Sequence, residues 1–254
     1  MMKKRRDKSR EDITGISKEK VFDISAWTPI TEIGRKVKAG EITSLDPILD
    51  AGKRILEPQI VDALLKDLQT NFLEIGQSKG KFGGGKRTIW RTTQKKTKEG
   101  NKSSFTAMAI VGNRDGFIGI GTGKAKETMP AREKAVRQAK LNIIKIKRGC
   151  GSWACNCREP HSLPFAVQGK NGSSIIRIMP APKGTGLCAE SECRKMLAIA
   201  GVKDVYSVTR GQTVTRMNLL MACYKALQNS SNMKVQHDYI AKAGIVSGKK
   251  ENAQ

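Results

Sequence analysis

The stretch Ala109–Gly149, AIVGNRDGFIGIGTGKAKETMPAREKAVRQAKLNIIKIKRG, decides how the chain is read. Phe105 to Val111 has the composition of a strand, Asn113-Arg114-Asp115-Gly116 that of a tight turn, and Phe117 to Gly121 that of a second strand. A helix is predicted next. Pro130 lies in its first turn, Ala135, Val136, Ala139 and Ile143 mark a buried face, and Lys134, Arg137 and Lys140 lie around the rest. Just upstream, Thr88 to Thr93 is β-prone and Lys98-Glu99-Gly100-Asn101 reads as a turn. Three antiparallel strands and one packed helix make a small α+β unit that ends near Arg148.

On the N-terminal side, residues 1–26 form a basic arm with almost nothing to bury, including Lys3, Lys4, Arg5, Arg6, Lys8 and Arg10. Residues 27–70 read as a helical extension. Within it Pro58 opens a helix over about 58–70, with Ile60, Val61, Leu64, Leu65 and Leu68 on one face. The first α+β domain then spans 71–148, its entrance lying in the Gly-rich segment Ser78 to Lys86. Residues 149–164 break the pattern and read as a Cys/His-containing linker. A second α/β domain is expected over 165–228. Its strands are Phe165 to Gln168, Ser173 to Met179 and Val205 to Val208, and its helices are Ala189 to Ala200, closed by Gly201, and Thr215 to Gln228. Leu220, Cys223, Tyr224 and Leu227 face inward on the last helix, and residues 229–254 read as a tail.

Charge supplies the functional constraint. The chain carries 47 Lys and Arg against 23 Asp and Glu, a formal net charge of +24. Such an excess repels itself and attracts polyanions. A membrane is the weakest candidate: no window is apolar enough to span one, and Met1 to Lys20 lacks the apolar centre of a secretory signal. A cytoplasmic location is therefore expected. Aromatic residues are only 5% of the chain, which favours recognition of backbone and shape over stacking of many bases. The phosphate-contact candidates are Lys81, Lys86, Arg87, Arg91, Lys95, Lys96, Lys98, Arg114, Lys124, Lys126, Lys145, Lys147 and Arg148. Arg91 and Arg148 can also stack or fork in ways that Lys cannot.

Motifs for chemistry fail on spacing. Gly119-Ile120-Gly121-Thr122-Gly123-Lys124 has Ile118 and Ala125 where a P-loop needs Gly and Ser or Thr, and Lys124 where a dinucleotide turn needs Gly. Two uses remain open for it: glycine N–H groups holding a nucleic-acid phosphate with Lys124 and Lys126, or a plain strand-to-helix turn. Ile120 and Thr122 replace the stacking aromatics of an RNA-recognition motif, and Gly116-Phe117-Ile118-Gly119 lies in a hairpin, unlike a KH loop. No catalytic constellation can be built around His161 or His237, and no enzyme is expected. Cys150, Cys155, Cys157 and His161 have the donor types of a zinc site. Their spacing is not the usual C-x2-C pair, and a chelate ring through one residue is strained. The expectation is reduced structural thiols, a hydrogen-bonded His and no cofactor, with structural zinc as the alternative. Cys188, Cys193 and Cys223 lie on helical patterns and are expected in the core.

With these residues in place, a resemblance is plain. The Ala109–Gly149 stretch, GSSIIRIMPAPKGTGL (Gly172–Leu187) and AGVKDVYSVTRGQTVTRMNLLMACYKAL (Ala200–Leu227) resemble the universal small-subunit ribosomal protein family numbered five in bacteria and two in eukaryotes. GCGSWACNCREPHSLPF (Gly149–Phe165) resembles its archaeal branch. The resemblance implies an N-terminal double-stranded-RNA-binding-like domain followed by a mixed α/β ribosomal domain, with basic tails. It implies a structural role in the small subunit near the place where messenger RNA enters, in assembly and decoding accuracy. The implied partners are small-subunit rRNA, neighbouring ribosomal proteins and the messenger itself, with no membrane and no homo-oligomer. The hairpin loop at about Thr97 to Lys102 would reach toward the neck of the subunit, and about Ile175 to Thr185 would meet another protein. Two other readings compete: a free double-stranded-RNA or DNA binder, for which the second domain is superfluous, and a thiol or metal enzyme built on Cys150–His161.

Overall fold

The computed structural model describes Ile24 and residues 27–77 and 87–248. The remaining arm residues, the segment 78–86 with Lys81 and Lys86, and the last six residues lie outside the described set. The chain divides into two compact units. Among the described residues, one holds those up to Val111 together with Gly121–Asn142; the other holds Gly112–Ile120 and those from Ile143 onward. The tip 112–120 and the residues 143–164 therefore cluster with the second unit.

The first unit opens with three short helices, α1 (Glu32–Lys38), α2 (Asp46–Asp50) and α3 (Pro58–Leu64). Thr31 caps α1 by accepting the Gly34 N–H on its Oγ1 at 3.1 Å. Glu57 ties this extension down. Its carboxylate accepts from the Thr31 N–H at 2.6 Å, the Ile30 N–H at 3.0 Å and the Trp27 indole at 3.2 Å. Burial pushes the Glu57 carboxyl up, but the Thr31, Ile30 and Trp27 donors outweigh it and hold it below the usual 4.5.

The helix expected over 58–70 is shorter than its apolar pattern. It ends at Leu64, Leu65 is already extended, and Gln69–Phe72 form a strand, β1. The Leu73 N–H donates to Met108 O at 3.0 Å, so the chain follows a neighbouring strand there and the tertiary pairing overrides the helical spacing. Short strands β2 (Gly76–Gln77) and β3 (Arg87–Thr88) pair with each other. The expected strand Thr88 to Thr93 is interrupted at Ile89 and Trp90, where Thr88 Oγ1 donates to Trp90 O at 2.9 Å. The hairpin β4 (Arg91–Thr97) and β5 (Gly100–Gly112), strand β6 (Phe117–Ala125) and helix α4 (Thr128–Leu141) then follow in the expected order. The sheet order is β1–β5–β6–β7, with β4 also on β5 and β7 spanning Ile143–Lys145.

Ala107, Ala109, Ala131 and Ala135 form a small-residue core between sheet and helix. A Cβ on Gly121 would stand 2.2 Å from Ala139 N, and one on Gly123 would stand 2.1 Å from Ala131 O. The glycines of Gly119–Lys124 thus lie within β6, and Gly121 and Gly123 admit the helix backbone, which replaces both the phosphate-cradle and the turn reading. Ile143 is buried as expected, but as the first residue of β7, because α4 ends at Leu141.

The second unit begins with β7, β8 (Lys147–Arg148), β9 (Val167–Asn171) and β10 (Ser174–Pro180). It continues through β11 (Leu187–Cys188), α5 (Ser191–Ile199), β12 (Val205–Arg210), α6 (Arg216–Asn232), α7 (His237–Ala243) and β13 (Val246–Ser247). The sheet order β11–β12–β10–β9 is covered on one face by α6: Gly169 meets the backbone of Ala222 and Ala226, and Val167, Ile176 and Ile178 are buried beside it. Gly201, at φ +83°, closes α5 as expected. Cys193 and Cys223 are core residues, but Cys188 is exposed in β11, a correction to its expected place. The expected tail at 229–254 is also corrected over its described part, 229–248. Helix α6 runs on to Asn232, α7 follows, and β13 pairs antiparallel with β8.

Candidate nucleic-acid interface

The hairpin β4–β5 carries the densest basic surface among the described residues. Its register pairs Arg91 with Thr106, Thr93 with Ser104, Lys95 with Lys102 and Lys96 with Asn101. Successive residues of a strand point to opposite faces. Arg91, Lys95 and Lys102 therefore share one face, joined by the Thr93 Oγ1–Ser104 Oγ hydrogen bond at 2.9 Å, while Thr92, Gln94 and Lys96 share the other. Residues on both faces are exposed toward the tip, where Lys98 sits in the turn and Gly100 takes φ +115°. At its base Phe105 packs on the alanine core, but residues 94–103 beyond it bury nothing on either face, and a two-stranded ribbon of that kind is marginal by itself. Lys95 directly opposite Lys102 makes it less stable still, since like charges in facing positions repel. This arrangement suits a ribbon whose counter-charge comes from a polyanion. Lys102 stands in the same basic run but is absent from the sequence-based set; only the pairing register reveals its position opposite Lys95.

On α4, the Arg132 guanidinium lies 4.3 Å from the Trp90 ring and 5.1 Å from that of Phe72, so the aromatic residue just before β4 serves α4. Lys140 on the same helix is bound to Asp62 at 2.6 Å. Lys124 and Lys126 are exposed at the end of β6 and in the link to α4, and Arg87 is half-buried in β3.

In the second unit Arg114 is exposed at the tip after β5, held at φ +57° by a turn in which Asn113 Oδ1 accepts from the Asp115 and Phe117 N–H groups. Lys145 and Lys147 are half-buried. The Lys147 ammonium donates to Met233 O; burial, then the neighbouring Lys145 charge, lower its pKa. Arg148 corrects the sequence reading. It is 5% exposed, its Nη2 is bound to Asp115 Oδ1 and donates to Gly248 O at 3.0 Å, and it is structural. Lys170, Arg177 and Arg210 are cations that the sequence-based set omits. They stand with Tyr206 and Val208 on the face of the second sheet opposite α6.

The Cys/His segment is not a loose linker. Cys150, His161, Ser162 and Leu163 are buried, and Gly149 bridges to Ser162. His161 Nδ1 lies 2.8 Å from Asp204 Oδ2, and Asp204 Oδ1 accepts the N–H groups of Gly184 at 3.1 Å and Gly186 at 2.8 Å. The donor atoms of Cys150, Cys155, Cys157 and His161 all lie within 4.8 Å of one another. The Lys183 N–H, followed by hydrogen bonds from Cys157, lowers the Cys155 thiol to about 6, whereas burial raises that of Cys157.

Two domain models match the sequence: "Ribosomal protein S5, N-terminal domain" over residues 89–147 and "Ribosomal protein S5, C-terminal domain" over residues 169–243. The small ribosomal subunit protein uS5 of Nanoarchaeum equitans is 46% identical over 228 residues, 90% of this chain and 98% of that protein. The uS5 protein of Methanocaldococcus jannaschii gives the same identity and coverage. That of Saccharolobus solfataricus is 43% identical over 221 residues, 87% of this chain and 96% of the relative.

Proposed function

The chain belongs to the uS5 family of small-subunit ribosomal proteins, and from that premise we propose how its surface serves the particle. It is a structural constituent of the small ribosomal subunit, with rRNA and other ribosomal proteins as its partners. In this reading its first unit binds rRNA through the β4–β5 ribbon. Arg91, Lys95, Lys96, Lys98 and Lys102 supply the phosphate contacts, and Lys124, Lys126 and Arg114 add to them. Binding releases counterions from the RNA. The protein acts as a single copy near the place where messenger RNA enters the subunit, and as a binder without catalysis. The open face of the second sheet, with Tyr206 and Val208 among Lys170, Arg177 and Arg210, has the mixed character of a protein-docking surface.

One observation carries the RNA reading: two lysines held face to face, Lys95 and Lys102, on the distal part of a ribbon where no residue is buried. The test is binding of the purified chain to a folded small-subunit rRNA fragment across a salt series. The logarithm of affinity should fall linearly with that of salt. The double change K95A and K102A should lower the slope by about two, one for each lost contact, and should leave the chain no less stable. An unchanged slope would remove the ribbon from the interface. In gradient sedimentation the wild-type chain should stay with small subunits through moderate salt.

A further inference from the structure

We propose that Cys150, Cys155, Cys157 and His161 hold one structural zinc ion through three thiolate sulfurs and the Nε2 of His161. The four donor atoms converge within 4.8 Å of one another. At ordinary Zn–S and Zn–N lengths, neighbouring ligand atoms of a tetrahedral site stand about 3.6–3.8 Å apart. Cys155 Sγ already lies 3.9 Å from His161 Nε2. Closure of the remaining pairs needs side-chain shifts on the order of 1 Å, given those bond lengths. The one-residue spacing between Cys155 and Cys157, which argues against chelation on paper, does not keep their sulfurs from the common centre.

The imidazole is prepared for this role. Its Nδ1 is bonded to Asp204 Oδ2 at 2.8 Å, with both side chains buried. That bond puts the ring proton on Nδ1 and turns the Nε2 lone pair toward the sulfurs, the carboxylate–histidine–metal arrangement that fixes a ligand's tautomer. Asp204 is itself immobilised by the Gly184 and Gly186 N–H groups. A core histidine satisfied by Asp204 accounts for one ring nitrogen only. It does not account for three thiols gathered at the other. Three thiolates and one neutral imidazole complete four-coordination and leave no position for water, so the site is structural and not hydrolytic.

The ion would act where the fold lacks apolar support. Residues 150–161 bury little beyond Cys150 and His161, and Trp153 is 99% exposed. Yet this segment anchors its surroundings. The Cys150 N–H donates to Ala243 O at 2.8 Å, the Tyr239 hydroxyl donates to Pro164 O at 2.8 Å, and Ser162 Oγ donates to Asp204 O at 2.6 Å. Zinc would thereby pin α7 and, through Asp204, the loop at Gly184–Gly186.

The test uses the full-length chain purified after expression with zinc. One equivalent of zinc is expected to survive desalting. Replacement by cobalt should give the intense thiolate charge-transfer absorption of a tetrahedral sulfur-rich site. Cys155→Ser and Cys157→Ser should each abolish stoichiometric binding, Cys188→Ser should not, and Asp204→Asn should weaken affinity about 10- to 100-fold. A folded wild-type chain with no zinc and no cobalt–thiolate band overturns the proposal, whatever becomes of the variants. Zinc content unchanged in both Cys155→Ser and Cys157→Ser overturns it equally. Either result is independent of RNA binding.

Discussion

Gly121 and Gly123 show how one residue type can suggest two opposite roles. Glycines before Lys124 can offer N–H groups to a phosphate, or they can let a helix approach a strand. The distances favour the second, because a Cβ at either position would strike the backbone of α4. Gly121→Ala should therefore destabilise the first unit by about 1–3 kcal/mol, the usual cost of overpacking, and toward the upper figure because the obstacle is main chain. Urea unfolding should show a lower midpoint at unchanged slope; an unshifted midpoint would refute the packing role. Arg148 teaches the same lesson. Its residue type suits a phosphate, but its guanidinium is enclosed by Asp115 and Gly248. Nothing in the local sequence distinguishes it from Lys145 or Arg91, since its partners stand 33 and 100 residues away.

Among the elements, the segment that leads into α1 depends on Glu57, the residue just before α3. Its folded pKa is depressed, so its contribution is present above the unfolded carboxyl value and is lost as pH falls through the depressed one. Glu57→Gln should free residues 27–31 and cost about 1.5–3 kcal/mol, the range for hydrogen bonds to a charged acceptor. Limited proteolysis should then cut near Trp27–Thr31, and the acid limb of the stability curve should flatten. Equal protease resistance in wild type and variant would count against it. The end of α3 is likewise decided by distant residues. Leu65 and Leu68 continue the helical spacing, but the chain beyond them follows Met108 and extends. Pairing with a distant strand is invisible to a local window. The α5 and α6 helices were legible because their apolar faces and the Gly201 cap are contained in their own residues.

The second unit is assembled from segments far apart in sequence. The Arg114 N–H donates to Ile199 O, the Gly248 N–H to Ile146 O, and β13 lies against β8. Arg148 sits at this junction. Arg148→Met should lower the stability of the unit by about 1–3 kcal/mol, discounted from a fully buried pair because the Asp115 side chain is a third exposed. The same change should leave the salt slope of RNA binding untouched. If Arg148 were a phosphate contact, that slope would drop by about one instead. The net charge of +24 has a complementary meaning, for it sets the class of partner without indicating which cations meet it.

Composition and local patterning were enough for the polyanionic partner, the hairpin-and-helix unit, the second α/β unit and the family, because charge and short-range periodicity are properties of neighbouring residues. They were not enough to seat Lys102 opposite Lys95, to bury Arg148, to fold residues 237–247 back onto β8, or to gather three thiols and His161 around one point. Each of these depends on which remote backbone lies alongside. That is fixed when buried area and hydrogen-bond satisfaction are resolved over the entire chain.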